Sequence, residues 1–214
     1  LALLLMPRVA SVHSAPVAGP DEAGDRDFLR SRDFWLMVTA NVFASAATSG
    51  SISQLSPMLQ AKGLDAATAA YGLSSFAIGQ FVGKLGGGWL LDRFEPRLVA
   101  ALLTLVPTLS FVVFLWSGAM ILPLMIAAGL LGMLQGADVS IFGFFVAHRF
   151  DVRRYGTIFG ILHAIGWLAT AGGIIGFSTS FARFGSYAAP QAASIAMLLV
   201  SAALIPLIRF PEKA

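Results

Sequence analysis

One lysine, one aspartate and one histidine stand apart in this sequence. Lys84, Asp138 and His163 each fall deep inside a long apolar run, whereas the other charged residues gather between such runs. An ionised group in a hydrocarbon layer costs on the order of 2.5–3.5 kcal/mol on insertion scales, so such residues usually face a cavity or a partner. A lysine there can hold an anion. An aspartate or histidine can carry a proton, because burial and a neighbouring charge move its proton affinity. Counted back to the next charges at about 1.5 Å per helical residue, Lys84 lies about 12 Å from Asp92, Asp138 about 16 Å from Arg149, and His163 about 13 Å from Arg154. The three therefore share one level. Gln80 precedes Lys84 by one turn, and Gln135 does the same for Asp138. Such spacing puts each pair on one helical face. Asn41, Ser45 and Thr48 also recur at helical spacing and make a polar stripe. Lys84, Gln80, Asp138, Gln135 and His163, with Asn41 and Ser45, are predicted to line one central polar cavity.

Each of these residues also has a purely structural reading. The lysine stem could carry its ammonium to the membrane surface. Lys84 and Asp138 could form an ion pair that only holds helices together. His163, Asn41 and the serines could hydrogen-bond neighbouring helices. The glycine pairs Gly132/Gly136, Gly156/Gly160 and Gly172/Gly176 are each four apart, a spacing that lets helix backbones approach closely.

The elements that must position these groups follow from composition. Only 12% of the 214 residues are charged, 57% are hydrophobic, and the mean hydropathy is +0.80. Soluble domains average about 25% charged and about 45–50% apolar residues. The fold class read from this is all-α: a polytopic membrane protein with six transmembrane helices. The six apolar segments run over 34–58, 66–91, 98–116, 119–147, 155–178 and 188–208. Each has enough residues to cross a layer of about 30 Å at about 1.5 Å per residue.

The basic residues sort by side. One set of loops and ends carries eleven: Arg8, Arg26, Arg30, Arg32, Arg93, Arg97, Arg149, Arg153, Arg154, Arg209 and Lys213. The opposite set carries two, Lys62 and Arg183. By the positive-inside rule this places both termini in the cytoplasm, with the plasma (inner) membrane as the expected location. Residues 1–6 read as the end of a preceding transmembrane helix, which would make the sequence a fragment. Residues 7–33, rich in proline, glycine and mixed charge, read as a cytoplasmic linker. The bundle would occupy 34–214.

Several functions are excluded. A pI of 9.7 and net charge of +3 would suit nucleic acid, but the basic residues form no patch. There is no cysteine, and the three histidines are isolated. With a single deep carboxylate, no catalytic set or metal-ligand spacing is present, and neither an enzyme nor a cofactor is expected. Gly83-Lys84 is not a phosphate-binding loop: Ile78 stands where that loop needs glycine and Leu85 where it needs serine or threonine.

Gly88-Trp89-Leu90-Leu91-Asp92-Arg93-Phe94-Glu95-Pro96-Arg97 resembles the signature loop of the major facilitator superfamily. That loop reads glycine, three residues, Asp-Arg, then glycine and basic residues, between helices 2 and 3 and more weakly between helices 8 and 9. Gly88, Asp92, Arg93 and Arg97 match; Glu95 and Pro96 depart from it. The resemblance covers essentially the whole sequence and implies the carboxy-terminal half of such a transporter, helices 7–12. It further implies alternating access and an amino-terminal half as partner, with Asp92 facing a helix end of that half. Lys84, four residues before Gly88, resembles the basic residue of helix 8 in the proton-linked monocarboxylate and oxalate–formate branch. Arg153-Arg154-Tyr155-Gly156-Thr157-Ile158-Phe159-Gly160 looks like the start of helix 11 there. Two departures stand out. The acidic residue that monocarboxylate carriers place before the basic one is Gln80, and the helix 11 lysine of oxalate exchangers has only His163 nearby. The resemblance implies a small organic anion as substrate, bound by Lys84, Gln80, Asn41 and Gln135. Asp138 or His163 would carry a coupling proton, and Gly88, Asp92, Arg93 and Arg97 would form a cytoplasmic gate. The competing reading is a membrane-embedded partner subunit that transports nothing.

Overall fold

The computed structural model describes residues 27–209. The predicted helix end at 1–6 and most of the predicted linker lie outside the described residues. Seven α-helices follow one another: α1 (Arg32–Ser53), α2 (Leu55–Ala61), α3 (Ala66–Arg93), α4 (Pro96–Trp116), α5 (Ile121–Arg149), α6 (Tyr155–Phe184) and α7 (Ala188–Leu204). No strand occurs among the described residues, so the all-α class holds.

Local chemistry explains where the helices start and stop. The first predicted segment breaks in two at Gln54, between α1 and α2. Pro57, in the first turn of α2, has no N–H to give the carbonyl of Ser53, so the α1 ladder cannot run on through it. Asp65 caps α3 by accepting the Thr68 N–H at 3.4 Å. Pro96 opens α4 at a position where its missing N–H costs nothing. Gly185, at φ +63°, ends α6 in the left-handed conformation. The last stretch of the predicted linker is part of the fold: Asp27–Arg30 makes a 3-10 turn and Phe28 is buried.

The connections gather at two ends. Asp33 bonds both Arg149 and the Arg209 N–H, which joins the start of α1, the end of α5 and the segment after α7. At the opposite end the Lys62 ammonium donates to the Ser117 carbonyl at 2.6 Å, and the Tyr187 hydroxyl to Gln54 Oε1 at 3.2 Å. Among the described residues four helical stretches are long and apolar enough to cross a membrane: Pro96–Trp116, Ile121–Arg149, Val152–Phe184 and Ala188–Leu207. The other two predicted spans fall to α1 and α3. These are long enough, at 22 and 28 residues, but α1 carries serines, threonines and Asn41, and α3 carries Gln80 and Lys84. Much of the α1 polarity is turned inward on the backbone: Thr48 donates to the Ala44 carbonyl and Ser51 to that of Ala47.

The most extensive pairings are α3 on α5 and α1 on α6, with α4 and α7 closing the bundle. The α3–α5 seam is made of glycines. A Cβ on Gly79 would overlap the Gly129 carbonyl, and one on Gly83 the Met133 carbonyl. From α5, Gly132 lies against the Phe76 carbonyl and Gly136 against that of Gln80. Of the predicted glycine pairs, only Gly132/Gly136 packs within this bundle. Gly156, Gly160, Gly172 and Gly176 face open space; α1 meets α6 through Gly166 and Gly173, and Gly172 and Gly176 line a groove beside that contact.

A polar concavity between α1, α5 and α6 as candidate functional site

Three helices bring polar side chains to one concavity of about 100 Å³. Helix α1 supplies Asn41, Ser45 and Ser49, α5 supplies Gln135 and Asp138, and α6 supplies His163 and Thr170. Neighbouring bonds fix its walls. Thr48 Oγ1 donates to Gln135 Oε1 at 3.3 Å, and the Ser49 and Thr170 hydroxyls lie 3.1 Å apart. Five of the seven residues predicted to share a cavity thus meet here: Asn41, Ser45, Gln135, Asp138 and His163.

Lys84 and Gln80 do not join them. Both lie on the exposed side of α3 and outside the concavity. The cause is the glycine seam. Gly79 and Gly83 must face α5, and Lys84, one residue on, stands about 100° further round the helix. On α5 the face carrying Gly132 and Gly136 meets α3, whereas Gln135 and Asp138 look the other way, toward α1 and α6. Helix α5 therefore stands between Lys84 and the concavity. The Lys84–Asp138 ion pair, one structural reading of the sequence, is not formed. The backbone N of Lys84 packs at Gly136, so the lysine lies level with Gln135 and Asp138.

The concavity is unbalanced in its hydrogen bonding. His163 Nδ1 lies 3.2 Å from the Phe159 carbonyl. A carbonyl only accepts, so in this bond Nδ1 carries a proton, and the other ring nitrogen is Nε2. That Nε2 is buried and has no partner. The Asn41 amide oxygen is also buried without a partner, pressed against Gly166, where any Cβ would overlap it. Asp138 is half-buried and forms no ion pair or hydrogen bond among the described residues.

The predicted gate residues lie at the basic end. Asp92 and Arg93 are exposed in the last turn of α3, and Arg97 is half-buried in the first turn of α4. Gly88 has open space around its Cα. Glu95 and Pro96, the two departures from the signature loop, serve the local backbone as the N-cap and first residue of α4.

Sequence reasoning missed the ion pair between α1 and α5. Asp33, 5% exposed, accepts from Arg149 Nε at 2.6 Å. Its signal was an acidic residue in a first helical turn and a basic one in a last turn, each favoured by the helix dipole. Ending the linker at residue 33 hid the first half of that signal. Thr170 and Gly166 of α6 were not among the predicted cavity residues.

A sequence profile of the Major Facilitator Superfamily matches residues 2–214. A comparison with curated proteins finds no match. Among solved structures, a variant of the E. coli fucose:proton symporter FucP superposes with a TM-score of 0.71 at 15% identity, covering 98% of this chain and 52% of that one. FucP in an outward conformation gives 0.63 at 16% identity, covering 93% and 48%. These likenesses are of fold, and the chain spans about half the length of both structures. With the profile matched along its whole length and the fold in agreement, the chain belongs to the major facilitator superfamily, a family of membrane transporters.

Proposed function

We propose that this chain is the carboxy-terminal half of a secondary transporter that moves a small organic anion, coupled to protons, by alternating access. In this reading α1 with α2 and α3 cross the bilayer beside the four apolar stretches. Both ends lie in the cytoplasm, and the protein sits in the plasma (inner) membrane. The observation that carries the reading is Asp138, unpaired among the described residues, in one polar concavity of a transporter fold with His163, whose Nε2 has no partner. Such groups are retained in a membrane at a cost, and proton relays are one of their uses. FucP is described as a proton symporter, which supports the choice of ion.

Lys84 supplies the attraction for an anion. Its exposed face on α3 is where an amino-terminal half, expected from the twofold length of the similar structures, would complete the cavity. Gln80 lies one turn away on that face, while Asn41 and Gln135 would contact the substrate from the concavity. Gly88, Asp92, Arg93 and Arg97 form a cytoplasmic gate whose contacts hold in one state and break in the other. Within the family, the resemblance at Lys84 supports a place in the monocarboxylate and oxalate–formate branch.

The test is uptake of a panel of small carboxylates by the full-length transporter. Lys84→Gln should abolish uptake and leave expression intact. Normal uptake by that variant removes the role given to Lys84.

A further inference from the structure

We propose that the groove between α1, α6 and α7 holds one phospholipid of the surrounding bilayer, with an acyl chain in the groove and the phosphate at Arg183. Only the membrane setting of α6 and α7 enters here, not the nature of the cargo.

Helices α6 and α7 are joined by a short turn, yet beyond it they touch little. Between them, over α1, lies a groove of about 520 Å³. Short side chains and bare backbone make much of its wall: Ala46 on α1, Gly172 and Gly176 on α6, Ala189 and Ala193 on α7. A Cβ on either glycine would meet nothing. Two hydroxyls line the groove, and that of Ser194 is spent on the Pro190 carbonyl at 2.9 Å. A space so poor in polar atoms stays dry. Left empty, its walls would forfeit dispersion contacts, and in a bilayer the material at hand to fill it is hydrocarbon. Length and place agree with a single lipid chain. On α6 the groove runs from Ala169 to Ser180, about 16 Å at about 1.5 Å per residue, or one leaflet of a layer about 30 Å thick. It occupies the half of α6 that ends at Phe184, away from the arginine-rich end. An amino-terminal half would complete the polar concavity, which lies elsewhere on α6: Gly172 stands about 180° round the helix from His163. The groove is therefore left to lipid. Arg183 supplies the place for the head group. It comes seven residues after Gly176, on the same face of α6. It is exposed and forms no ion pair or hydrogen bond among the described residues. No carboxylate lines the groove to repel a phosphate.

The experiment strips lipid from the purified full-length transporter and titrates it with phosphatidylglycerol or with diacylglycerol of identical chains, counting bound molecules by native mass spectrometry. The wild type should keep one more tightly bound phosphatidylglycerol than Gly176→Leu, whose added side chain fills the groove. That variant should fold normally, since its Cβ enters open space. Arg183→Gln should weaken phosphatidylglycerol binding by about fivefold, the order expected for one basic side chain near a membrane surface, and leave diacylglycerol binding unchanged. An equal count of bound phosphatidylglycerol in the wild type and Gly176→Leu overturns the proposal. So does diacylglycerol that binds the wild type as tightly as phosphatidylglycerol, a comparison that stands even where a variant fails to fold. If the wild type keeps no lipid and Gly176→Leu melts far below it, a helix of the amino-terminal half fills the groove and the proposal falls.

Discussion

Replacing Asp33 by asparagine should destabilise the protein by about 2 kcal/mol, a value bracketed by two limits. Loss of one partner from a fully buried ion pair costs about 3–5 kcal/mol, because the other charge is left uncompensated. An exposed pair contributes about 0.2–1 kcal/mol. This pair lies between those limits. The Asp33 side chain is 7% exposed and the Arg149 side chain 34%, so one charge is taken from water and the other keeps part of its hydration. The Nε–Oδ2 distance of 2.6 Å is that of a strong charge-assisted bond. Asparagine keeps an oxygen for the Arg209 N–H and removes only the charge, which isolates the electrostatic part. The assay is thermal melting of the full-length protein in detergent. At about 2–4 °C per kcal/mol for a unit of this size, the midpoint should fall by about 4–8 °C. Arg149→Met should do the same, and the double variant should show a coupling of about 1–2 kcal/mol. Because Asp33 is buried, added salt should erase little of it. A midpoint within about 1 °C of wild type for Asp33→Asn, with no coupling in the cycle, would refute the view that this pair ties α1 and α5 to the segment after α7.

Other expectations are narrower. Gly83→Val should separate α3 from α5 and destabilise by about 2–3 kcal/mol through overpacking, since the Met133 backbone cannot move aside as a side chain would. Gly86→Ala, where a Cβ meets nothing, should instead be neutral or stabilising by up to about 1 kcal/mol from helix propensity, and melting of the two variants separates the cases. Asp138→Asn should abolish proton-driven accumulation while substrate exchange across the membrane persists. Loss of both would show that Asp138 is needed for binding or folding and not for coupling alone.

Much of the architecture was legible from chemistry that acts along the chain. Apolar runs and the sorting of arginines gave helices that alternate between two ends, because a helix in lipid must be apolar over its full length. The shared depth of Asp138 and His163 followed from rise per residue. What stayed hidden depends on which way a helix is turned. The spacing of Lys84 and Gln80 showed that they share a face but could not say that the face looks away from Asp138. That choice is made by Gly79 and Gly83, whose lack of a side chain turns them toward α5. In the same way, Gly172/Gly176 and Gly132/Gly136 have the same spacing, and only the position of α1 and α3 in space tells them apart. Asp33 was hidden by a boundary of a few residues. The break at Gln54 was missed although Pro57 marks it.

The seam between α3 and α5 bears on how the protein is made. Helix α3 carries Lys84, Asp92 and Arg93 and, like α1, is less apolar than the helices from α4 to α7. Its main partner leaves the ribosome later: the end of α5 follows the end of α3 by roughly 56 residues, or about 3–11 s of synthesis at about 5–20 residues per second. During that interval the exposed glycine face of α3 has no backbone to lie against. Helix α3 is therefore expected to wait at the insertion machinery until α5 arrives, and the two to enter the bilayer as a hairpin around α4. A chain halted after α4 should leave α3 extractable by alkaline carbonate, and one extended through α5 should not. Stable insertion of α3 without α5 would contradict this order of assembly.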